Sequence, residues 1–379
     1  MPSALVLCAA DPAADPRPNR MIRCLARDFS VGVISGGLVE NPGVTCERIP
    51  PRLSRSLARR VGSAVLLLRG HYGHRVWTPG LRAIAAAHRR QDPAFITVHD
   101  LCLLPVALAI RHHGRVLFDA REYYPRHYED LWWWRLLYQP LNVALCRKYL
   151  ARADHIVTVS QRFASEYARE FGVHCEVLPS LPVPVACKPQ PVDPDRLRMV
   201  HHGLASRSRR LEDMIRMMDR LPKRFSLDLI LKPNDQGYVD QLTAMCKKRP
   251  NVRVLPPLAF SQLVVATNAY DIGLFLMPPV SFNLRFTVPN KLFEFVQARL
   301  MVAIGPSLEM TPYVRAHDLG VVAEDFDPVT LARALAGLSA ADVARFKENA
   351  HRAAAVLNSD QTDAVVRSIA LSHPASVRQ

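Results

Sequence analysis

The reading of this chain turns on TVPNKLFEFVQARLMVAIGPS, residues 287–307. Pro289 suits a first helical turn, where its missing N–H costs nothing. The spacing predicts a helix over 290–298 and then a strand buried on both faces at 300–305. N–H groups at such a helix start lack partners within the helix and form an anion site. Leu292, Phe293 and Val296 are expected to face a core, which turns Glu294 away from it. A carboxylate so placed can accept two hydroxyl protons from a diol, or it can pair with a nearby arginine. The segment alone leaves both open.

Outward from this stretch, apolar runs alternate with helical patterning. In the first half, 4–10, 31–35, 95–99, 116–120 and 155–160 read as short buried strands, with helical stretches near 20–27, 78–90, 101–113, 131–152 and 161–171. The run 178–195 carries six prolines and forms no regular element. After it the alternation restarts, with strands at 198–203, 227–232, 252–257, 271–277, 300–305 and 320–324. Strands alternating with helices imply α/β architecture with parallel sheets. The expected division is an N-terminal Rossmann-like domain (1–182), a Pro-rich linker (183–196), a second Rossmann-like domain (197–340) and a C-terminal helix and tail (341–379). Two doubly wound domains facing a cleft would turn the carboxyl ends of their strands toward it.

Composition narrows the possibilities. A chain of 379 residues with 49% hydrophobic content exceeds one ordinary core and suits two. No apolar run reaches the ~20 residues that span a bilayer. ALVLCAA (4–10) has no basic residue before it, so a core strand is expected there instead of a secretion signal. The eight cysteines form no Cys-x-x-Cys pair, as expected of reduced cytoplasmic thiols. The first strand is followed by CAADPAADPRP, which has no glycine, so a dinucleotide-binding oxidoreductase is not expected. The net charge of +15 attracts phosphorylated ligands, anionic lipid or nucleic acid, but no nucleic-acid motif is present.

PNKLFEF followed by an apolar strand resembles the nucleotide-sugar motif of GT-B glycosyltransferases, in particular family-4-like enzymes of bacterial surface-polysaccharide synthesis. DPAADPRPNRMIRCLAR, VLFDAREYYP, ADHIVTVSQRFASEY and HHGLASRSRRLEDMI resemble further segments of that family in the expected order, so the likeness covers roughly residues 4–340. It implies that Glu294 binds the ribose of a nucleoside diphosphate sugar, UDP ahead of GDP. The N–H groups near Pro289, Asn290, Lys291 and Leu292 would hold the diphosphate. Arg207, Arg209 or Arg210, following Gly203, would neutralise it from the other side, with help from Lys232. Fixed cations and helix N–H groups stabilise a diphosphate as it leaves. No metal and no cofactor beyond the sugar nucleotide is implied. Two positions depart from the family pattern. Its second Glu, seven residues before the position of Glu294, is Thr287 here, so Asn283, Arg285 or Thr287 would have to contact the donor sugar. Its His in Asp-Ala-His-Glu is Arg121, leaving Glu122, Asp119 and the pair His99-Asp100 as catalytic candidates.

Residues 51–75 hold six arginines and no acid. Leu53, Leu57, Val61 and Leu68 fall near helical spacing among Arg52, Arg55, Arg59, Arg60 and Arg69, a basic amphipathic pattern suited to an anionic bilayer surface. Trp132, Trp133 and Trp134 suit the same interface. The expected setting is thus cytoplasmic and peripheral to the inner membrane face, with a lipid-linked or oligosaccharide acceptor. A nucleotide-sugar epimerase of the same fold would need no such face. A catalytically silent assembly partner would fit Thr287 and Arg121, but not a kept Glu294.

Overall fold

The computed structural model describes residues 1–39, 43–50 and 56–372. It forms two compact units. The first comprises Met1–Pro179, Ser281–Asn283 and the residues from Thr362 onward; the second comprises Ser180–Val280 and Leu284–Gln361. The proline-rich run beyond Pro179 therefore falls in the second unit. The C-terminal helix expected from 341 onward is two helices, Ala340–Ala354 and Ser359–Leu371, and most of the latter belongs to the first unit.

Among the described residues the first unit carries seven strands: β1 (Ser3–Cys8), β2 (Ser30–Ser35), β3 (Thr45–Arg48), β4 (Phe95–Val98), β5 (Arg115–Ala120), β6 (His155–Thr158) and β7 (Glu176–Val177). They pair in parallel in the order β3-β2-β1-β4-β5-β6-β7. Val6, Phe95, Leu117 and Val157 fill the layer beneath the helices of one face. Val366 and Ile369 of the helix Ser359–Leu371 join that core, and Arg367 clasps Asp28 with two bonds of 2.6 and 2.9 Å.

The second unit holds β8 (Leu197–Ala205), β9 (Phe225–Pro233), β10 (Val252–Leu255), β11 (Ile272–Phe275), β12 (Met301–Ile304) and β13 (Gly320–Val322), in the order β10-β9-β8-β11-β12-β13. In β11, Ile272 and Leu274 join the core on one face of the sheet, while Phe275 joins the core on the other. Such a strand needs apolar residues at every position, which is why these strands were legible as unbroken runs. Both sheets reverse strand order once, between β1 and β4 and between β8 and β11. The crevice at such a switch point, beyond the carboxyl ends of the strands, is where doubly wound sheets take ligands.

Candidate active site

In the second unit, the helix Asn290–Gln297 is buried from Lys291 to Gln297, on every face and not on one alone. Phe293 and Phe295 explain most of that burial; Lys291 and Glu294, at 6% and 7% exposure, do not. A chain buries two charged side chains in one helix only where something else satisfies them. Pro289 supplies no side-chain cap, and the Leu292 N–H donates to Pro289 O at 3.1 Å. That removes Leu292 from the expected anion donors and leaves the N–H groups of Asn290 and Lys291 at the helix start.

Lys291 reaches the carboxyl end of β8. Its Nζ lies 3.4 Å from His201 Nε2 and 5.0 Å from the centre of the Phe275 ring. Gly203 has φ 137°, a conformation that side-chain-bearing residues rarely adopt. A Cβ there would stand 3.0 Å from Lys291 Nζ and 3.3 Å from an Arg209 terminal nitrogen. The glycine thus keeps open the spot where two cations converge. Among the described residues no carboxylate comes within ion-pair distance of Lys291 Nζ. Burial, and then the Arg209 guanidinium, push the Lys291 ammonium well below its usual range, with Glu294 pulling weakly the other way. An anion at this place would supply the missing counter-charge.

Glu294 faces His202, its Oε2 3.6 Å from His202 Nε2. Burial and the Lys291 charge hold the His202 imidazole down to about 3, and the same causes push His201 well below its usual value, so both rings are neutral. His201 is fixed through Nδ1 to Leu274 O at 2.9 Å. These two histidines escaped sequence reasoning, although HHG at a strand end beside a buried helix was a signal.

Of the three arginines after Gly203, the fold turns Arg209 to the site. Arg207 binds Asp235 at 3.0 Å and Gln241 at 2.9 Å, and Arg210 binds Asp213 at 2.9 Å. Lys232 is exposed near the end of β9, in register with Leu204. Arg285 and Thr287 line a pocket of about 220 Å³ at the ends of β11 and β12, bounded also by Phe275, Pro289 and Ser307. Asn283 is not available for a donor sugar: its carboxamide exchanges bonds with the Tyr123 backbone, at 2.8 and 3.2 Å, inside the first unit.

The catalytic candidates of the first unit lie at the ends of β4 and β5. Asp119 is fully buried and clasped by Arg17 through bonds of 2.6 and 2.8 Å, with His99 Nδ1 2.9 Å from the same carboxylate. Burial alone would raise this carboxyl; the Arg17 guanidinium and the His99 imidazole outweigh it and hold it well below the usual range. So held, Asp119 is a poor proton acceptor that stands beside His99, neither of whose buried ring nitrogens has a hydrogen-bond partner among the described residues. Asp100 accepts from Ala9 N at 2.6 Å and lies 3.5 Å from Arg121, which also binds Asp15. Glu122 pairs with His127 and remains partly open to solvent.

The basic stretch forms the helix Leu57–Leu68, with Leu57, Val61, Val65 and Leu68 exposed beside Arg59, Arg60 and Arg69. It packs on the helix Trp132–Leu137, whose Trp132 and Trp133 are exposed at 69% and 44%. Trp134 is instead buried against His127 and Tyr128, because one side of so short a helix must face the core. Arg52 and Arg55 lie outside the described residues. Among the described residues no helix is long and apolar enough to cross a membrane. The described side chains that could together hold a metal ion are Asp92, His112 and His113, exposed before β4 and β5 and so at the opposite strand ends from His99 and Asp119.

No family model matches this sequence, and no curated protein does. Solved structures do. The chain is similar to WaaG, a glycosyltransferase involved in lipopolysaccharide biosynthesis, at 13% identity, with TM-score 0.69 over 98% of this chain and 100% of that one. It is also similar to sucrose-phosphate synthase from Thermosynechococcus elongatus, at 14% identity and TM-score 0.74 over 97% and 98% of the two chains. Anabaena HepE, solved with UDP and glucose, matches at 12% identity and TM-score 0.71 over 97% and 99%. The fold is therefore that of the GT-B glycosyltransferases.

Proposed function

We propose that this protein is a glycosyltransferase that moves a sugar from a nucleoside diphosphate, UDP in preference to GDP, onto a lipid-linked or growing glycan at an anionic cytoplasmic membrane face. The observation that carries the reading is the convergence of the Lys291 and Arg209 side chains at Gly203, with Glu294 one turn along the helix from Lys291. The two cations and the N–H groups of Asn290 and Lys291 hold the diphosphate; Glu294 takes the ribose diol. As the bond from the anomeric carbon to the diphosphate oxygen breaks, both electrons go to that oxygen, and the two cations stabilise the growing charge without a metal. HepE was solved with UDP and glucose, which supports a uridine nucleotide here.

In the first unit, Asp119 stands beside His99, and Glu122 with His127 forms the more open acid–base pair. The acceptor hydroxyl gives its proton to one of these, or to the leaving phosphate. The exposed apolar and arginine-bearing face of Leu57–Leu68, with Trp132 and Trp133, supports a membrane-bound acceptor over a soluble one, and disfavours an epimerase. The test is transfer of label from UDP-sugars onto a bacterial lipid extract by the wild-type chain and by Glu294→Ala. Transfer that depends on Glu294 supports the proposal; wild-type binding of UDP without transfer to any acceptor favours the silent assembly partner.

A further inference from the structure

The pocket beside the helix start says what kind of sugar the donor carries. We infer that this pocket receives the donor's sugar ring and selects one bearing an apolar group, a 6-deoxy carbon or an acetamido methyl, over a fully hydroxylated hexose. The inference rests on the donor-site reading above.

Two residues tie the pocket to the anion site. Phe275 lines it, and the same ring lies 5.0 Å from Lys291 Nζ. Pro289 lines it as well, and it is the residue from which the helix carrying Lys291 and Glu294 starts. A diphosphate at Lys291 would therefore lie near a ring that also lines the pocket. At about 220 Å³ the pocket falls below the ~300–1,000 Å³ of sites for drug-sized ligands, and is on the scale of a single sugar ring.

The lining decides the chemistry. Nine of its twelve residues are apolar, Met277, Leu284 and Phe326 among them, and none is a carboxylate or a carboxamide. The polar groups are Thr287, Ser307 and the donor-only guanidinium of Arg285. A hexose brings hydroxyl protons that need acceptors, and a buried hydroxyl left without one is penalised. A methyl in the same place is rewarded by the surrounding apolar surface. Thr287 brings one hydroxyl and no carboxylate, so its presence and the apolar lining point the same way.

The experiment is a calorimetric comparison on the full chain, within the UDP or the GDP series according to which nucleotide binds. In the UDP series the probes are UDP, UDP-glucose, UDP-6-deoxyglucose, UDP-N-acetylglucosamine and UDP-glucuronate; in the GDP series GDP-mannose and GDP-6-deoxymannose replace them. The expected result is that at least one deoxy or acetamido donor binds ~10-fold or more tighter than the parent hexose, about 1.4 kcal/mol. Thr287→Glu should narrow that gap by improving hexose binding. Equal binding of all the sugars, or tightest binding of the glucuronate through Arg285, overturns this inference while leaving the donor site standing. Binding of neither UDP nor GDP overturns the donor site, and this inference with it.

Discussion

Lys291 Nζ and His201 Nε2 lie 3.4 Å apart, both side chains buried and the imidazole neutral, so the ammonium has a weak acceptor where a buried cation ordinarily has a carboxylate. The folded chain holds this charge at a cost, which an anion bound beside it would offset. The first test follows from that. Lys291→Met removes a poorly compensated buried charge at nearly constant volume, so the free protein should melt slightly higher, ~1 °C for ~1 kcal/mol in a chain of this size. UDP affinity should fall ~10–100-fold, the loss of one charge-assisted contact. Differential scanning calorimetry with and without UDP reads both effects. A variant that melts lower and binds as well as wild type would contradict the account.

The pH dependence has a defined sign. Burial and Arg209 lower the Lys291 pKa in the free protein, and a bound diphosphate raises it again. Between those two values binding takes up a proton, so UDP affinity should weaken as pH rises through the free-state value. Titrations in buffers of different ionisation enthalpy measure that uptake, and proton release on binding would be the wrong sign.

Arg17 and Asp119 make a separate prediction for the first unit. Arg17→Met leaves Asp119 buried and unpaired and should cost ~3–5 kcal/mol, while Arg17→Met with Asp119→Leu should recover most of it. The folded pKa of Asp119 is depressed. Its stabilising contribution is therefore complete above the ordinary carboxylate pKa and is lost as pH falls below that value toward the folded one. Urea melts of the three proteins at neutral and at acid pH would show the difference between wild type and the double variant shrinking at low pH.

The exposed face of Leu57–Leu68 gives a fourth test. Val61→Asp and Trp132→Ser change exposed side chains and should leave melting unchanged. Each should nevertheless weaken sedimentation with anionic vesicles ~10-fold or more, with binding falling further as salt rises. Trp134→Ala, by contrast, opens a cavity and should destabilise by ~3–5 kcal/mol. Unchanged vesicle binding in both surface variants would remove the membrane from the account.

Much of this fold could be read from local pattern. The helix Gln161–Phe171 has the bounds expected of it, because Ser160 caps its start and Gly172, at φ 66°, ends it. The strand β3 was missed since its mostly exposed TCER carries no apolar run. The break between Ala354 and Ser359 has no Gly or Pro to announce it. Glu294, Lys291 and Gly203 were named from sequence, but their convergence was not legible, because it depends on burial and on a backbone angle at Gly203. The choice of Arg209 over Arg207 and Arg210 likewise rests on Asp235, Gln241 and Asp213, which engage the other two. Arg17 and Asp119 stand 102 positions apart, and no local signal joins them.

The most direct test of the central claim is calorimetric titration of UDP and GDP into the full chain and into Glu294→Ala and Lys291→Ala. One nucleotide should bind the wild-type chain, and each substitution should weaken it ~10-fold or more, about 1.4 kcal/mol. Binding of neither nucleotide, or equal binding by all three proteins, would contradict a diphosphate site at Lys291 and Glu294.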